Sequence, residues 1–437
     1  MEESVALTEY PVVLEGMFPE EFLQVPSECL ILTMQKNQKY FPLQDKNNKL
    51  THRFLLVANT VSSRPEAIIA GNQRVVKARL EDARFFYQED QKKPLLSRLN
   101  DLKQVVYHYK LGSVYEKSER QGALAIFLAQ KIGADPLASE KAARLGLADL
   151  NTEMVGEFPE LQGVMGKYYA LNEGIEPEIA TAIEQRYWPR FAEDKLPEGK
   201  VAQSVALADK LETLVGIWGI GLAPTGEKDP YALRRAALGA NRLLANLSLN
   251  VKEALNFTVS LFEGKNLAPN TGEAVYDFMK NRLLNNRNKA YSKETVLAVL
   301  GKNPSYFNHL EEIFQAVEDF RKEDFSSALL DINKRVHPLL KEGLERGTVD
   351  PRLISEAAEK RLWSELQESE AQVKAALARE DYQEILRLLG ALKPAVDQFF
   401  AEVLVMDKDE DTKQNRLNLL ARVTKVLNTL ADLSLLT

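Results

Sequence analysis

Cysteine and histidine are scarce in this chain. Its 437 residues contain one cysteine, Cys29, and four histidines. A single cysteine excludes an internal disulfide and a cysteine-cluster metal site, and so few histidines argue against a zinc enzyme. The chain also lacks an apolar run long enough to cross a membrane, and its first residues lack the apolar core of a signal peptide. We therefore expect a cytoplasmic protein that has no membrane partner.

The bulk composition is that of an ordinary globular protein. Hydrophobic residues make up 45% of the chain, charged residues make up 27%, and the net charge is −7. A chain of this length predicts two to four domains. A nucleic-acid-binding protein with this acidic balance requires a local basic surface.

The secondary-structure pattern changes near residue 64. Segments 39–43 and 53–58 have the composition of strands on either side of the polar turn 45–49, which predicts a small antiparallel sheet. From Pro65 onward the apolar residues recur at helical spacing. These patterns predict a mainly α protein with a small α+β N-terminal part.

Three acidic residues follow one another at steps of four: Asp149, Glu153 and Glu157. On one helix they would lie on the same face, and Asp209 on a second helix could join them in a site for Mg²⁺ or Mn²⁺. The alternative is that Glu153 and Glu157 form a solvated face while the two aspartates cap helices or form ion pairs. Glycines and a proline after these acids predict that the helix ends in a tightly packed corner.

Two stretches are basic. Asp229 and Pro230 predict the start of a helix that carries Arg234 and Arg235, whose partner would be either an acid in the fold or a phosphate. The segment 280–293 has five basic residues and no acid. Its basic residues would bind an RNA backbone, and Tyr291 would stack on a base. The candidates in this segment are Lys280, Arg282, Arg287, Lys289 and Tyr291.

Several longer sequences carry a family resemblance. They are GNQRVVKARLEDARFFYQED (71–90), EFPELQGVMG (157–166), ALADKLETLVGIWGIGLAPTGEKDPYALRRAALG (206–239) and FFAEVLVMDKDEDTKQNRLNLLARV (399–423). Together they resemble the beta subunit of the bacterial two-subunit glycyl-tRNA synthetase. Beta subunits of that family are longer at the N-terminus, so the resemblance implies an N-terminally truncated form.

Within residues 101–223 the order of Lys117, Ala148-Asp149 and Asp209 resembles the HD phosphohydrolase superfamily. That superfamily holds a metal with two histidines and two aspartates, but here lysine and alanine occupy the histidine positions. Neither an ammonium nor a methyl group can coordinate a metal. The resemblance therefore implies an HD-like scaffold without metal or hydrolase activity, in which Lys117 pairs with one of the aspartates.

The C-terminal part has a resemblance of its own. NKRVHPLL (333–340) and NRLNLLARVTKVL (415–427) resemble the helical anticodon-binding domain of arginyl-type synthetases. Candidate tRNA contacts in these segments are Arg335, Asn415 and Arg416. The implied domains are an α+β front region (1–100), an HD-like helical domain (101–225), a helical linker or body region (226–310) and a helical anticodon-binding domain (311–437).

The family resemblance implies the function. The alpha subunit would carry the catalytic core with ATP and Mg, and this chain would bind no cofactor and have no catalytic residue. It would position tRNA-Gly for aminoacylation within an alpha2beta2 assembly, and it would have no DNA partner. The alternatives are an HD-type metal-dependent phosphohydrolase and a non-catalytic helical scaffold that binds only protein.

Overall fold

The computed structural model describes residues 8–287, 290–324, 326–341 and 347–436. The chain divides into two compact units, one of Met1–Ala240 with Leu255–Thr271 and one of Asn241–Ala254 with Gly272–Thr437. Among the described residues, no helix has both the length and the apolar character that spanning a bilayer requires.

The described structure is mainly helical and has a small sheet in the first 60 residues, as the sequence predicts. Two short strands at 106–113 lie in a segment for which the sequence predicts helix. The strands are β1 (Val12–Met17), β2 (Phe41–Gln44), β3 (Leu50–Ala58), β4 (Val106–His108) and β5 (Gly112–Ser113). The helices of the first part are α1 (Ser27–Gln38), α2 (Pro65–Gln91), α3 (Leu95–Asp101), α4 (Val114–Ile132), α5 (Pro136–Leu145), α6 (Glu153–Glu157), α7 (Val164–Asn172), α8 (Pro177–Gln185) and α9 (Gly199–Gly219).

The remaining helices follow the segment after α9. They are α10 (Leu233–Leu244), α11 (Val251–Ser260), α12 (Thr271–Arg287), α13 (Lys293–Gly301), α14 (Leu310–Phe320), α15 (Ser326–Lys341), α16 (Ala357–Ala378), α17 (Tyr382–Ala391), α18 (Lys393–Glu402) and α19 (Glu410–Leu427). Short 3₁₀ turns lie at Glu20–Gln24, Ala148–Asn151, Pro159–Leu161, Pro351–Leu353 and Leu433–Leu435.

The first unit begins with a three-stranded antiparallel sheet in the order β1-β3-β2. The two strands expected around the polar turn are β2 and β3, and their pairing confirms the predicted sheet. Phe54 at the middle of β3 is fully buried, and its ring packs against Tyr40 with 4.9 Å between centroids. Gly16 on β1 faces that ring, and a Cβ there would lie only 2.6 Å from it.

The helical body of the first unit is built around α9. Fifteen residues of this helix are buried, and it packs against α4, α5 and α8. Helix α4 begins with a capping box, in which Ser113 and Glu116 each bind the other's backbone amide, and it ends at Gly133 with a φ of 70°. This packing brings side chains of α4, α8 and α9 together in the interior of the unit.

The regular elements among the described residues of the second unit are all helices, joined by loops and short 3₁₀ turns. The stripe predicted on the last helix is present on α19, where Leu417, Leu420 and Leu427 are buried. Helix α19 packs against α15 and α16, and α16 packs in turn against α17 and α18. The core of this unit is therefore formed by leucine-rich faces at helical spacing.

Two helix predictions are wrong in detail. Asp149, Glu153 and Glu157 do not share a helix, because Thr152 ends the 3₁₀ turn that holds Asp149 and caps α6 through its hydroxyl. Asp149 is buried, whereas both glutamates are exposed. The helix predicted to start at Asp229 and Pro230 begins instead at Leu233. Asp229 still caps it, since its carboxylate accepts from the amides of Leu233 and Arg234 at 2.8 and 2.9 Å.

Candidate functional site

A charged cluster fills the interior of the first unit where α4, α8 and α9 meet. Arg186 follows α8 and is fully buried. Its guanidinium donates to Oδ1 of Asp209 on α9 and to the side-chain oxygen of Gln121 on α4, each at 2.7 Å. Gln121 also donates to Oδ1 of Asp209 at 2.9 Å. Gly146 leaves room for the guanidinium, because a Cβ there would lie 2.7 Å from it.

This cationic surrounding controls the ionisation of Asp209. Burial alone would raise its pKa, but the positive charges of Arg186, Lys117 and Lys210 hold the pKa at about 2. Asp209 is therefore ionised at neutral pH, and its charge is balanced within the protein.

Asp149 lies in the tightly packed corner that the sequence predicts after residue 157. Its Oδ2 accepts from the amides of Gly163 and Gly166 at 2.6 and 3.1 Å. Gly163 has a φ of 79°, and a Cβ on Gly166 would lie 2.7 Å from Ile183. Burial raises the pKa of Asp149 to about 6, although the two glycine amides and Arg186 oppose that shift.

Lys117 takes part in a second ion-pair group. Its ammonium lies 3.3 Å from Glu212 and donates to the hydroxyl of Thr213 at 2.9 Å. Arg120 binds Glu212 as well, at 2.8 Å. Burial alone would lower the pKa of Lys117, but Tyr107, Glu212 and Asp209 raise it above its ordinary value. The expected ion pair with Asp149 or Asp209 is therefore wrong, since Lys117 pairs with Glu212 and Arg186 pairs with Asp209.

These residues do not fit a divalent cation. Ala148 is buried and offers no donor atom. Oδ2 of Asp149 accepts from backbone amides, and Oδ1 of Asp209 accepts from a guanidinium. Among the described residues, no group of three histidine, cysteine or carboxylate side chains could hold a metal ion. Internal cations occupy the place that a metal would need, which argues against the phosphohydrolase alternative.

A cleft of about 250 Å³ opens beside this cluster in the first unit. Lys210 on α9 and Arg235 on α10 line it, together with Tyr187 and Tyr231. Arg235 is exposed, as a nucleic-acid contact requires. Arg234 points elsewhere, because it donates to the carbonyl of Gly226 and does not line the cleft. The sequence predicts either an acid or a phosphate as the partner of these arginines, and the partner of Arg234 within the described residues is a backbone carbonyl.

The basic segment of α12 is partly neutralised by neighbouring acids. Lys280 forms an ion pair with Asp277 at 3.0 Å, and Arg287 forms one with Glu311 at 3.0 Å. The hydroxyl of Tyr291 donates to the same Glu311 at 2.9 Å. The side chain of Arg282 is half-buried and makes no hydrogen bond or ion pair with a described residue. Lys289 lies outside the described residues.

Two of the three candidates in the C-terminal segments hold the fold together. Asn415 is buried and exchanges hydrogen bonds with the backbone of Asp350, at 2.7 and 3.1 Å. Arg416 is also buried, and it binds Glu359 at 2.8 Å and Asp407 at 2.7 Å. The structure thus corrects the prediction of RNA contacts at these two positions. Arg335 is exposed, with its guanidinium 5.9 Å from the Phe400 ring centre.

Sequence reasoning missed Arg186, Tyr187 and Glu212. Arg186 is one arginine after an apolar helix, and nothing in the surrounding sequence separates it from a surface arginine. Glu212 lies three residues after Asp209 on a helix whose other residues are mostly apolar. An acid in such an apolar helix requires a buried cation as its partner, and this signal could have identified Glu212.

Comparisons with known proteins agree with the sequence resemblance. Residues 1–301 match the model of the glycyl-tRNA synthetase beta subunit, and residues 329–435 match that of the DALR anticodon binding domain. The chain is 53% identical over its whole length to the glycine–tRNA ligase beta subunits of Neisseria meningitidis and Neisseria gonorrhoeae. It is 47% identical, over 99% of its length, to that of Ralstonia nicotianae.

The chain spans 64% of the length of the Neisseria relatives and 63% of the Ralstonia relative. The first of the two family models covers well over half of the chain, and the second covers most of its C-terminal quarter. The chain belongs to the family of glycyl-tRNA synthetase beta subunits.

Proposed function

We propose that this chain is the tRNA-binding beta subunit of a glycine–tRNA ligase, or a large part of one. It positions tRNA-Gly so that the tRNA 3′ end meets glycyl adenylate in the active site of an alpha subunit. Holding two reactants in the right geometry lowers the barrier without a catalytic residue on this chain. Aminoacylation with ATP and Mg takes place on the alpha subunit, in a cytoplasmic alpha2beta2 assembly.

One observation carries this proposal. A single chain matches the beta-subunit family over residues 1–301 and an anticodon-binding domain over residues 329–435. Anticodon bases are unstacked and single-stranded, so a helical domain can recognise them by stacking and hydrogen bonding. The charged interior of the first unit supports a non-catalytic role, because its carboxylates are committed to internal cations and amides.

The test is the binding of fluorescent tRNA-Gly and of a non-cognate tRNA to the full chain across a salt series. We expect tighter binding of tRNA-Gly at every salt concentration, with both affinities falling as salt rises because phosphate contacts release counterions. Equal affinities that vanish together at moderate salt would refute recognition by this chain. Absence of any tRNA binding would favour the protein-binding scaffold.

A further inference from the structure

The cleft beside the charged cluster holds cationic side chains that the fold itself does not use. Lys210 is 5% exposed, and its ammonium donates one long hydrogen bond within the described residues, to the Arg186 carbonyl at 3.5 Å. Neither Lys210 nor Arg235 forms an ion pair with a described residue. A buried ammonium with so weak a partner is costly, which makes an anion in the cleft favourable.

The carboxylates near the cleft are already neutralised. Asp209 is bound by Arg186 and Gln121, and Asp194 is bound by Arg190 at 2.9 Å. Lys210 is near Asp209, which also lines the cleft, but Arg186 already pairs with that carboxylate. Arg235 forms no ion pair with a described residue, so the cleft has more positive than negative charge. A guanidinium and an ammonium that line one small cavity are typical of sites for phosphate groups.

Aromatic groups complete the cleft. Tyr231 lies at its wall with 36% of its surface exposed, and its ring meets that of His108 edge-on at 6.2 Å. The next residue, Tyr109, is 80% exposed and packs on His108 at 4.5 Å. The hydroxyl of Tyr187 is buried and has no hydrogen-bond partner among the described residues. Exposed aromatic rings beside cations are the usual surfaces for unpaired bases.

The size of the cavity limits the occupant. At about 250 Å³ it is smaller than the pockets of roughly 300–1,000 Å³ that enclose drug-sized molecules. It has room for a phosphate group with its sugar, while an attached base would lie over the exposed rings at the rim.

We infer that this cleft binds the phosphate of a single nucleotide through Lys210 and Arg235, with Tyr231 as the stacking surface for the base. On the proposed function, which this step assumes, the nucleotide is an unpaired residue of tRNA-Gly. A free mononucleotide offers the same chemistry and is the other source of such a ligand.

The experiment compares Arg235→Ala with Arg234→Ala in the full chain. Both arginines lie in the first turn of α10, but only Arg235 lines the cleft. The affinities for AMP, for adenosine and for tRNA-Gly are measured by titration calorimetry and fluorescence anisotropy. Loss of a charged hydrogen bond to phosphate predicts that Arg235→Ala weakens tRNA-Gly binding about tenfold, whereas Arg234→Ala leaves it within about twofold.

The outcomes distinguish a tRNA residue from a free mononucleotide as the ligand, and the cleft inference from the proposed function. AMP binding that is stronger than adenosine binding and sensitive to Arg235→Ala shows that a free nucleotide also occupies the cleft. If tRNA-Gly binds and neither Arg235→Ala nor Lys210→Met weakens it, the cleft inference fails while the proposed function stands. If AMP binds in an Arg235-dependent way and tRNA does not bind, the cleft stands and the proposed function fails. If neither ligand binds, both fail.

Lys210→Met is checked by circular dichroism before use, because Lys210 is buried. Arg235 is exposed, so Arg235→Ala keeps the test decisive even if the lysine variant does not fold.

Discussion

Arg186 acts on Asp209 as a built-in counter-ion. The pair is close, at 2.7 Å, and the guanidinium has no contact with solvent. A buried ion pair is weak evidence for net stability, but the removal of one member leaves the other uncompensated. The residues around Asp209 therefore depend on Arg186 far more than its position after a short helix suggests.

Replacement of Arg186 tests this dependence. We expect Arg186→Met to lower the free energy of unfolding by about 3–5 kcal/mol, because Asp209 and Gln121 lose their shared donor. Lys141→Met removes the exposed pair with Glu176 in the same unit and should cost less than about 1 kcal/mol. Urea denaturation followed by tryptophan fluorescence measures both. Equal small effects would contradict the counter-ion role.

Asp149 gives a dependence on pH with a definite sign. Burial raises its pKa to about 6 in the folded chain, from an ordinary aspartate value of 3.8. The folded state thus binds the proton more tightly than the unfolded state. The contribution of Asp149 to the free energy of unfolding is therefore fully present below about pH 4 and is lost as the pH rises through 6. Relative to Asp149→Asn, the wild-type chain should lose roughly 2 kcal/mol of stability between about pH 4.5 and 7.5. If the free energy of unfolding changes with pH in the same way for the wild-type chain and for Asp149→Asn, the raised pKa is contradicted.

At the scale of secondary-structure elements, the corner between α6 and α7 determines the surroundings of Asp149. The proline and the glycines in the sequence predict this corner, because they interrupt a helical pattern. The break at Thr152 could not be predicted in the same way, since the acidic residues on either side keep helical spacing. The break follows from tertiary hydrogen bonds, in which the amides of Glu153 and Met154 donate to Asp90 on α2.

A methyl group in this corner should be poorly tolerated. In Gly166→Ala the new Cβ would lie 2.7 Å from Ile183 and 3.1 Å from Oδ2 of Asp149, so we expect a loss of about 1–3 kcal/mol. Gly156→Ala on α6 has no atom within 4 Å and should be neutral or stabilising by up to about 1 kcal/mol. Thermal unfolding of both variants checks the contrast, and a destabilised Gly156→Ala would count against it.

At the scale of the whole molecule, the net charge limits how the proposed RNA binding can occur. A net charge of −7 repels a polyanion at long range, so contacts must come from local cations without acidic partners. Sequence composition predicts that requirement but not which cations meet it. Glu311 neutralises Arg287 from a different helix, and Glu359 and Asp407 enclose Arg416. Only folding brings those acids into place, which is why counting basic residues along 280–293 overstated the patch.

Charge reversal on α12 tests whether an arginine without an acidic partner among the described residues contributes to tRNA binding. We expect Arg282→Glu to weaken tRNA-Gly binding several-fold at low salt and to reduce the salt dependence by about one phosphate contact. Arg361→Glu, which reverses an exposed arginine paired with Glu365 on α16, serves as the control for the added negative charge. Anisotropy titrations at several salt concentrations measure both. Equal losses of tRNA-Gly affinity in the two variants would mean that binding depends only on the net charge of the protein.

The division into two units has a consequence for how this protein can be taken apart or recombined. The chain crosses from one unit to the other after Ala240, after Ala254 and after Thr271, and the first two crossings fall inside α10 and α11. No single genetic crossover or protease cut can therefore deliver either unit whole. Modular exchange in this family would have to respect three junctions at once, so the two units are expected to be inherited together.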